Sequence, residues 1–569
     1  MKQKVWLRNL ILSVLVGGIF ILLSEVLIPF TFEVNDDVSM ICILNGSFTG
    51  TPDAHTVYMG YALSFFIMLL YKTGIAICWY KWVLYATYIF ALSSLLYRLL
   101  DRFPKHPILL SLATAGSVAV LWLTRISRGT FSTCGAFLTV TLILCYALQP
   151  KEKDLKPGWL ADILLLFVLC CNWREQFSYL SIAFLGVVWL FKYWKELLSN
   201  KKCWLIPLSA LLLLGCSLGI KSYAYRDWDD YFTYNAARSY LQDRYHFPKY
   251  SEHPEELLAL GYTEEEYYTL SHYDYALLRD FGPEDIIALA DYAKTLEPEQ
   301  TPGERMTEAV QRAWDYFIIT DFSDITPVQI MSFVMPALLI LCTIVLCIKD
   351  RKNYAIFPVL LLFGLVCSWV YIGSRGRFPD RVDATLRLLN VGVSLAGFAL
   401  LLIQRPIRIK GQKLQRALSA LLCVLFMAGS IWSLSAARTR QLELPSAFNR
   451  YIKIAAQHPE NIYFRDTRSI SVSYRVLSEF PRMPVNVVYT GSWDSYSPLY
   501  YEKLETLGLD GLSQDTLLQD NVYLVVRLSK YDLHQVLGLS EDVIVTYDEI
   551  ERLGNGIRII KINEIIYPE

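Results

Sequence analysis

Charge is what this chain has least of. Asp, Glu, Lys and Arg make up 19% of its 569 residues, against roughly 25% in an average soluble domain. In their place, apolar runs of about 17–25 residues, enough to cross a bilayer, recur from end to end. With a mean hydropathy of +0.32, this excludes a single soluble domain and predicts an α-helical polytopic membrane protein. The net charge of −1 says nothing about partners, because local distribution outweighs the total; no nucleic-acid partner is expected. The twelve cysteines all lie in or beside apolar segments, so no disulfide framework is implied. The first apolar run lacks a small-residue cleavage site and is longer than a signal-peptide core, which predicts an uncleaved first span. Internal repeats and low-complexity tracts are also missing.

Basic residues orient the chain, because they collect in short cytoplasmic loops. Lys2, Lys4 and Arg8 put the N-terminus inside. Residues 57–72 and 82–99 are both apolar. If both crossed, Arg98, Arg102 and Lys105 would lie outside and every later span would invert. If 57–72 lies in the outer interface, all later basic clusters fall inside: "KEKDLK" (151–156), "KYWKELLSNKK" (192–202), "KDRK" (349–352) and "RPIRIKGQKLQR" (405–416). That reading gives eleven spans, near 9–30, 82–99, 107–124, 131–148, 159–172, 177–192, 203–220, 326–348, 354–373, 385–404 and 415–435, with the C-terminus outside.

Four parts follow: a transmembrane module over 1–220 with a first outer loop at 31–81, an insert over 221–325, further spans over 326–436 with an outer Arg-rich loop at 374–384, and residues 437–569. The insert holds 22 Asp and Glu against 9 Lys and Arg, and Pro and Gly punctuate its amphipathic runs, which predicts an acidic helical domain outside the membrane. In 437–569, β-rich runs ("NIYF", "VNVVYT", "VYLVVRL", "VIVTY") alternate with helical patterns ("SPLYYEKLETLGL"), as in a small extracytoplasmic α/β domain.

Polar residues sorted to the outer face form a candidate site. The first span is followed by "FTFEVNDDVSMICILNGSFTGTPDAH", with Asp36 and Asp37 adjacent and Asp53 and His55 further on. Arg125 and Arg128 ("TRISRGT"), Arg174 and Glu175 ("NWREQF"), and Arg375, Arg377 and Arg381 ("YIGSRGRFPDRVDA") join them. Three arginines at the outer end of a span run against the positive-inside bias. Guanidinium forks suit phosphate oxygens, and a lipid-linked phosphate is one anion they would meet there.

The order of features resembles the glycosyltransferase C superfamily, polytopic enzymes that use polyprenyl-phosphate sugars. A first span is followed by an acidic pair (Asp36-Asp37). A loop with a Pro and His element, "TGTPDAHTVYMGYALSFF", leads into an interfacial helix. The second span ends inside in "YRLLDRF", and a hairpin with an outer arginine follows, "SRGTFSTCGAFLTVTL". "NDD" and "TGTPDAH" also resemble uncharacterised bacterial membrane proteins of this layout. The resemblance covers about residues 1–200, then only topology.

It implies transfer of a sugar to a cell-envelope glycan, lipid or protein. Asp36 or Asp37 would be the general base, and polyprenyl phosphate would leave with inversion. Arg375, Arg377 and Arg381 would contact phosphate, with Arg125, Arg128, Arg174, Glu175 and His55 as lesser substrate contacts. Some members use a divalent cation; here Asp37 and Asp53, with Asp36 and His55 near in sequence, would be the ligands for Mg²⁺ or Mn²⁺.

Each feature has a plainer alternative: a solvated acidic loop, arginines on anionic headgroups, an Arg174–Glu175 ion pair, a His55 that starts a helix. Two other function classes stay open, a lipid-linked glycan flippase and a non-enzymatic scaffold. The absence of repeats and the few mid-span charges weigh against the first.

Overall fold

The computed structural model describes residues 2–28, 30–33, 35–318, 325–349, 356–404, 424–425, 428–435, 446–467, 481–528 and 532–568. Among them, nine helices are long and apolar enough to cross a membrane. They are α1 (Lys2–Leu27), α4 (Trp79–Arg102), α5 (Pro107–Ile126), α6 (Phe131–Leu148), α8 (Glu175–Tyr193), α9 (Leu205–Ala224), α15 (Pro327–Lys349), α16 (Ile356–Gly373) and α17 (Asp380–Gln404). A tenth, α7 (Pro157–Trp173), is shorter and equally apolar. Together they follow the first ten expected spans. Most of the eleventh, 415–435, lies outside the described residues. Its last part, 428–435, is helical and packs on α5, with Ser433 Oγ donating to the Val120 carbonyl at 2.9 Å.

The core of the bundle is α6. Of its apolar stretch 94% is buried, as is 83% of that of α17, whereas α1, α9 and α15 are buried by 22% or less. A helix apolar on all sides belongs in the middle, and "FSTCGAFLTVTLILCYAL" is such a helix. It meets α17 closely because Gly392 offers no Cβ; one placed there would come within 2.2 Å of Val140.

Two helices occupy the segment after α1. The acidic pair does not sit in a loop: it opens α2 (Asn35–Asn45), and α3 (Tyr61–Lys72) follows. With 12 residues, α3 spans about 18 Å at roughly 1.5 Å per residue, short of a bilayer's ~30 Å apolar core.

Among the described residues the regular elements of the insert are helices, chiefly α10 (Asp229–Ser239), α11 (Pro254–Ala259), α12 (Glu264–Ser271), α13 (Pro283–Thr295) and α14 (Pro302–Phe317). Capping boxes start α12 (Thr263, Glu266) and α14 (Thr301, Glu304), the signature of S/T-x-x-E.

The C-terminal region forms a five-stranded mixed sheet in the order β4-β3-β5-β7-β6, from β3 (Ile462–Arg465), β4 (Val487–Tyr489), β5 (Val522–Arg527), β6 (Ile544–Gly554) and β7 (Ile557–Ile566). Asn555 and Gly556, at φ +52° and +75°, join β6 to β7 as a two-residue Asn-Gly turn favours. The sheet domain seats on both the insert and the first loop. Ala276 N donates to Thr490 O at 2.8 Å, Met483 N to Ser47 Oγ at 2.8 Å, and Thr506 Oγ1 to Thr49 O at 3.1 Å.

Candidate functional site

The acidic pair is placed by a short parallel bridge. β1 (Thr31–Phe32), just past α1, pairs with β2 (Arg128–Gly129), just before α6. Gly129 permits this, since a Cβ there would strike Leu84 and Phe30 at 2.6 and 2.8 Å. The bridge brings the start of α2 against the start of α6.

Asp37 is wholly buried. Its Oδ1 accepts from Tyr80 Oη at 2.6 Å and from the Phe131 backbone N–H, in the first turn of α6, at 3.0 Å. Its Oδ2 accepts no hydrogen bond among the described residues. Burial pushes this carboxyl up from 3.8 to about 7; the Tyr80 and Phe131 hydrogen bonds pull the other way, Asp36 adds to the rise and Arg381 opposes it. A buried carboxyl at a helix N-terminus holds two elements together, but in this position it is closed off from any ligand.

Asp36 is different. Its side chain is 20% exposed and lies 3.7 Å from Arg381 Nη2. Around it, Tyr58 lies within electrostatic range of Asp36, Arg174, Arg238 and Asp494. Arg377 lies in range of Arg381, Asp36, Arg238 and Tyr58. Arg174 donates to Ser132 Oγ at 2.7 Å and rests on the Phe131 ring; burial, then Arg381, lowers its pKa. Arg238, 6% exposed, hydrogen-bonds, among the described residues, the neutral amides of Asn235 and Gln242. Neither Arg174 nor Arg238 has an ion-pair partner among the described residues. Four arginines thus share the cluster with Asp36, with Asp243, the partner of Arg377, and with the buried Asp37 and Asp494. Such a cluster suits an anion.

Tyr58 is aimed by a strained turn. Val57 has φ +63°, an outlier for a β-branched residue. The Tyr58 N–H closes a γ-turn to Thr56 O at 2.7 Å, and the Val57 N–H is held by Tyr225 Oη at 2.8 Å. The Tyr58 ring then stacks on Phe131 at 5.9 Å and meets Trp493 edge-on at 4.9 Å. Through Trp493 and the buried Asp494, the sheet domain forms part of the wall.

Other expected residues lie elsewhere or are already engaged. Arg375 is exposed and folds onto Tyr371, donating to its hydroxyl at 3.0 Å. Arg125 pairs with Glu33. Arg128 stands in β2, half-buried. Glu175 does not pair with Arg174; it meets Lys221 at 3.2 Å and accepts from Tyr179 at 2.9 Å. His55 uses both ring nitrogens, on Asp53 at 2.7 Å and on Ala224 O at 3.2 Å, and stacks on Trp228. Burial raises the Asp53 carboxyl, but its hydrogen bonds with His55 outweigh that and leave it below the usual range. Asp53 is thus committed to His55 while Asp37 is committed to Tyr80 and Phe131. Among the described residues no three of His, Cys, Asp and Glu gather as metal ligands. The expected set of Asp37 and Asp53, with Asp36 and His55, is not among such groups.

Below the site, an apolar cavity of about 620 Å³ runs between α4, α5, α6 and α17, lined by Trp122, Phe137, Val140, Leu144, Leu388 and Phe398 among others. Three of these helices carry site residues near their first turns: Tyr80 on α4, Phe131 on α6 and Arg381 on α17.

No family model matches the chain, and no curated protein matches it. Among solved structures, the crystal structure of ArnT from Cupriavidus metallidurans bound to undecaprenyl phosphate overlaps 98% of this chain and 99% of its own, at 11% identity and a TM-score of 0.43.

Proposed function

We propose that this protein is a membrane glycosyltransferase of the glycosyltransferase C type, which takes a sugar from a polyprenyl-phosphate donor and transfers it to a cell-envelope acceptor outside the cytoplasm. The N-terminus is cytoplasmic, and the insert and sheet domain face outward. The observation that carries the reading is the convergence of Arg174, Arg238, Arg377 and Arg381 around the partly exposed Asp36. The apolar cavity running down the same helices suits a lipid tail whose phosphate lies among the arginines.

Asp36 is the general base, because it is the member of the pair a substrate can touch; Asp37 positions it by fixing the first turn of α2. The acceptor hydroxyl gives its proton to Asp36 and attacks the anomeric carbon. The new C–O bond forms as the bond from that carbon to the phosphate oxygen breaks. The electron pair leaves with polyprenyl phosphate, and configuration inverts. Arg174, Arg377 and Arg381 stabilise the charge that develops on the leaving phosphate.

The test is donor binding in nanodiscs, read as a thermal shift with a panel of polyprenyl-phosphate sugars. Wild type and Arg375→Met are expected to shift alike, and Arg174→Met and Arg381→Met to lose the shift. Equal loss in Arg375→Met, or no loss in the other two, contradicts the assignment.

A further inference from the structure

The last helix of the insert has an unusual surface. In α14, Met306, Val310 and Trp314 fall at i, i+4 and i+8, on one stripe, and are 58%, 48% and 57% exposed. Ala309 and Ala313 adjoin that stripe and are buried. They pack on Gly373, the last residue of α16, so closely that a Cβ there would meet the Ala309 carbonyl at 2.2 Å. Glu304, Arg305, Glu308, Gln311, Arg312 and Asp315 fill the opposite face. Among the described residues, only one flank of the apolar face is therefore covered by protein.

The position of α14 says what meets the other flank. Its end is pinned at the mouth of two spans: Phe317 touches Trp369 of α16 at 5.2 Å and Phe333 of α15 at 4.5 Å, and Tyr316 stacks on Phe378 at 4.2 Å. That is the level at which those helices leave the membrane, at the end of the bundle where Arg381 and Asp36 sit. The span on which α14 packs, α16, itself exposes Val359, Phe363, Val366 and Tyr371, an apolar surface of the kind a span turns to lipid. An amphipathic helix with Trp on its apolar face and charge on the other is built for an interface.

We propose that α14 rests on the membrane surface with Met306, Val310 and Trp314 in the lipid, so that the insert is a membrane-docked domain rather than a wholly solvated one. Its polar flank borders the arginine loop: Arg312 Nη1 lies 3.1 Å from where a Cβ on Gly376 would stand, and Gly376 has φ +74°. The helix therefore fixes the height of the 374–377 loop relative to the lipid headgroups.

Photo-crosslinking tests this without any activity assay. p-Benzoylphenylalanine is placed at Val310, at Phe363 as a lipid-facing control and at Gln311 on the polar face. Irradiation follows in nanodiscs of phosphatidylethanolamine and phosphatidylglycerol, and in membranes of expressing cells. Phospholipid adducts at Val310 and Phe363 but not at Gln311, in both settings, are expected. A protein adduct at Val310 in cell membranes, from a partner or a second copy, would overturn the proposal. So would the absence of any adduct at Val310 where Phe363 gives one.

Discussion

Arg381 Nη2 lies 3.7 Å from Asp36 Oδ2, joining the first turn of α17 to the first turn of α2. The neighbouring carboxylate, Asp37, faces the other way and makes its bonds to Tyr80 and Phe131. Two adjacent acids therefore have separate tasks, one facing the arginines and one holding the helix that presents it.

Asp37 makes stability depend on pH in a stated direction. Its carboxyl ionises near 7 in the folded protein against 3.8 ordinarily, so between those values the folded state holds a proton that the unfolded chain gives up. The stability this contributes is whole below about pH 4 and is lost as pH rises through about 7. Thermal melts of wild type and Asp37→Asn should accordingly diverge between about pH 4 and 7, with wild type falling further. A gap between them that does not change with pH contradicts this.

At the far end of the bundle, Asp154 is fully buried and accepts from Lys192 at 3.0 Å, Tyr193 at 2.9 Å and Gln149 at 3.0 Å, with Arg98 bonded onward from Gln149. Asp154→Ala strands a buried ammonium, which costs about 3–5 kcal/mol. Denaturation should show that loss while the donor-induced thermal shift of the residual folded protein stays at the wild-type size.

Val57→Gly and Val57→Pro separate strain from hydrogen bonding at the turn before Tyr58. Glycine adopts positive φ freely, and that relief offsets part of the roughly 1.5–3 kcal/mol lost with a buried core side chain, so Val57→Gly should cost less than Val57→Pro. Proline forbids the φ and deletes the N–H held by Tyr225, so it should cost more than about 1 kcal/mol. Equal effects of the two would contradict the strained turn.

Gly373→Val places a branched side chain where α14 and α16 nearly touch. Overpacking of this kind costs about 1–3 kcal/mol; the melt should fall accordingly, and Gly158→Val, with open space around it, should leave it unchanged.

The sequence displays its membrane helices because long apolar runs are local signals. For α3 the signal is charge: Arg98, Arg102 and Lys105 fall inside only if residues 57–72 stay in the interface. Asp36, Arg174, Arg377 and Arg381 could be named from composition at span ends. Their division of labour could not. Whether Asp37 or Asp36 faces the arginines depends on α2 being helical from Asn35 and on the β1–β2 bridge, which only the packed structure defines. Tyr58, Arg238 and Trp493 went unnamed for a related reason: each looks like an ordinary aromatic or helix-surface residue until segments far apart in sequence meet. Arg375 shows the converse. It shares a seven-residue window with Arg377 and Arg381, yet its guanidinium folds back onto Tyr371 of α16.

The most direct measurement is the single-turnover rate of sugar transfer by Asp36→Asn in nanodiscs, beside its donor-induced thermal shift. Loss of a general base is expected to slow transfer by about 10²–10⁴-fold while the donor still binds, because the arginines remain. Transfer at the wild-type rate by Asp36→Asn would contradict the account.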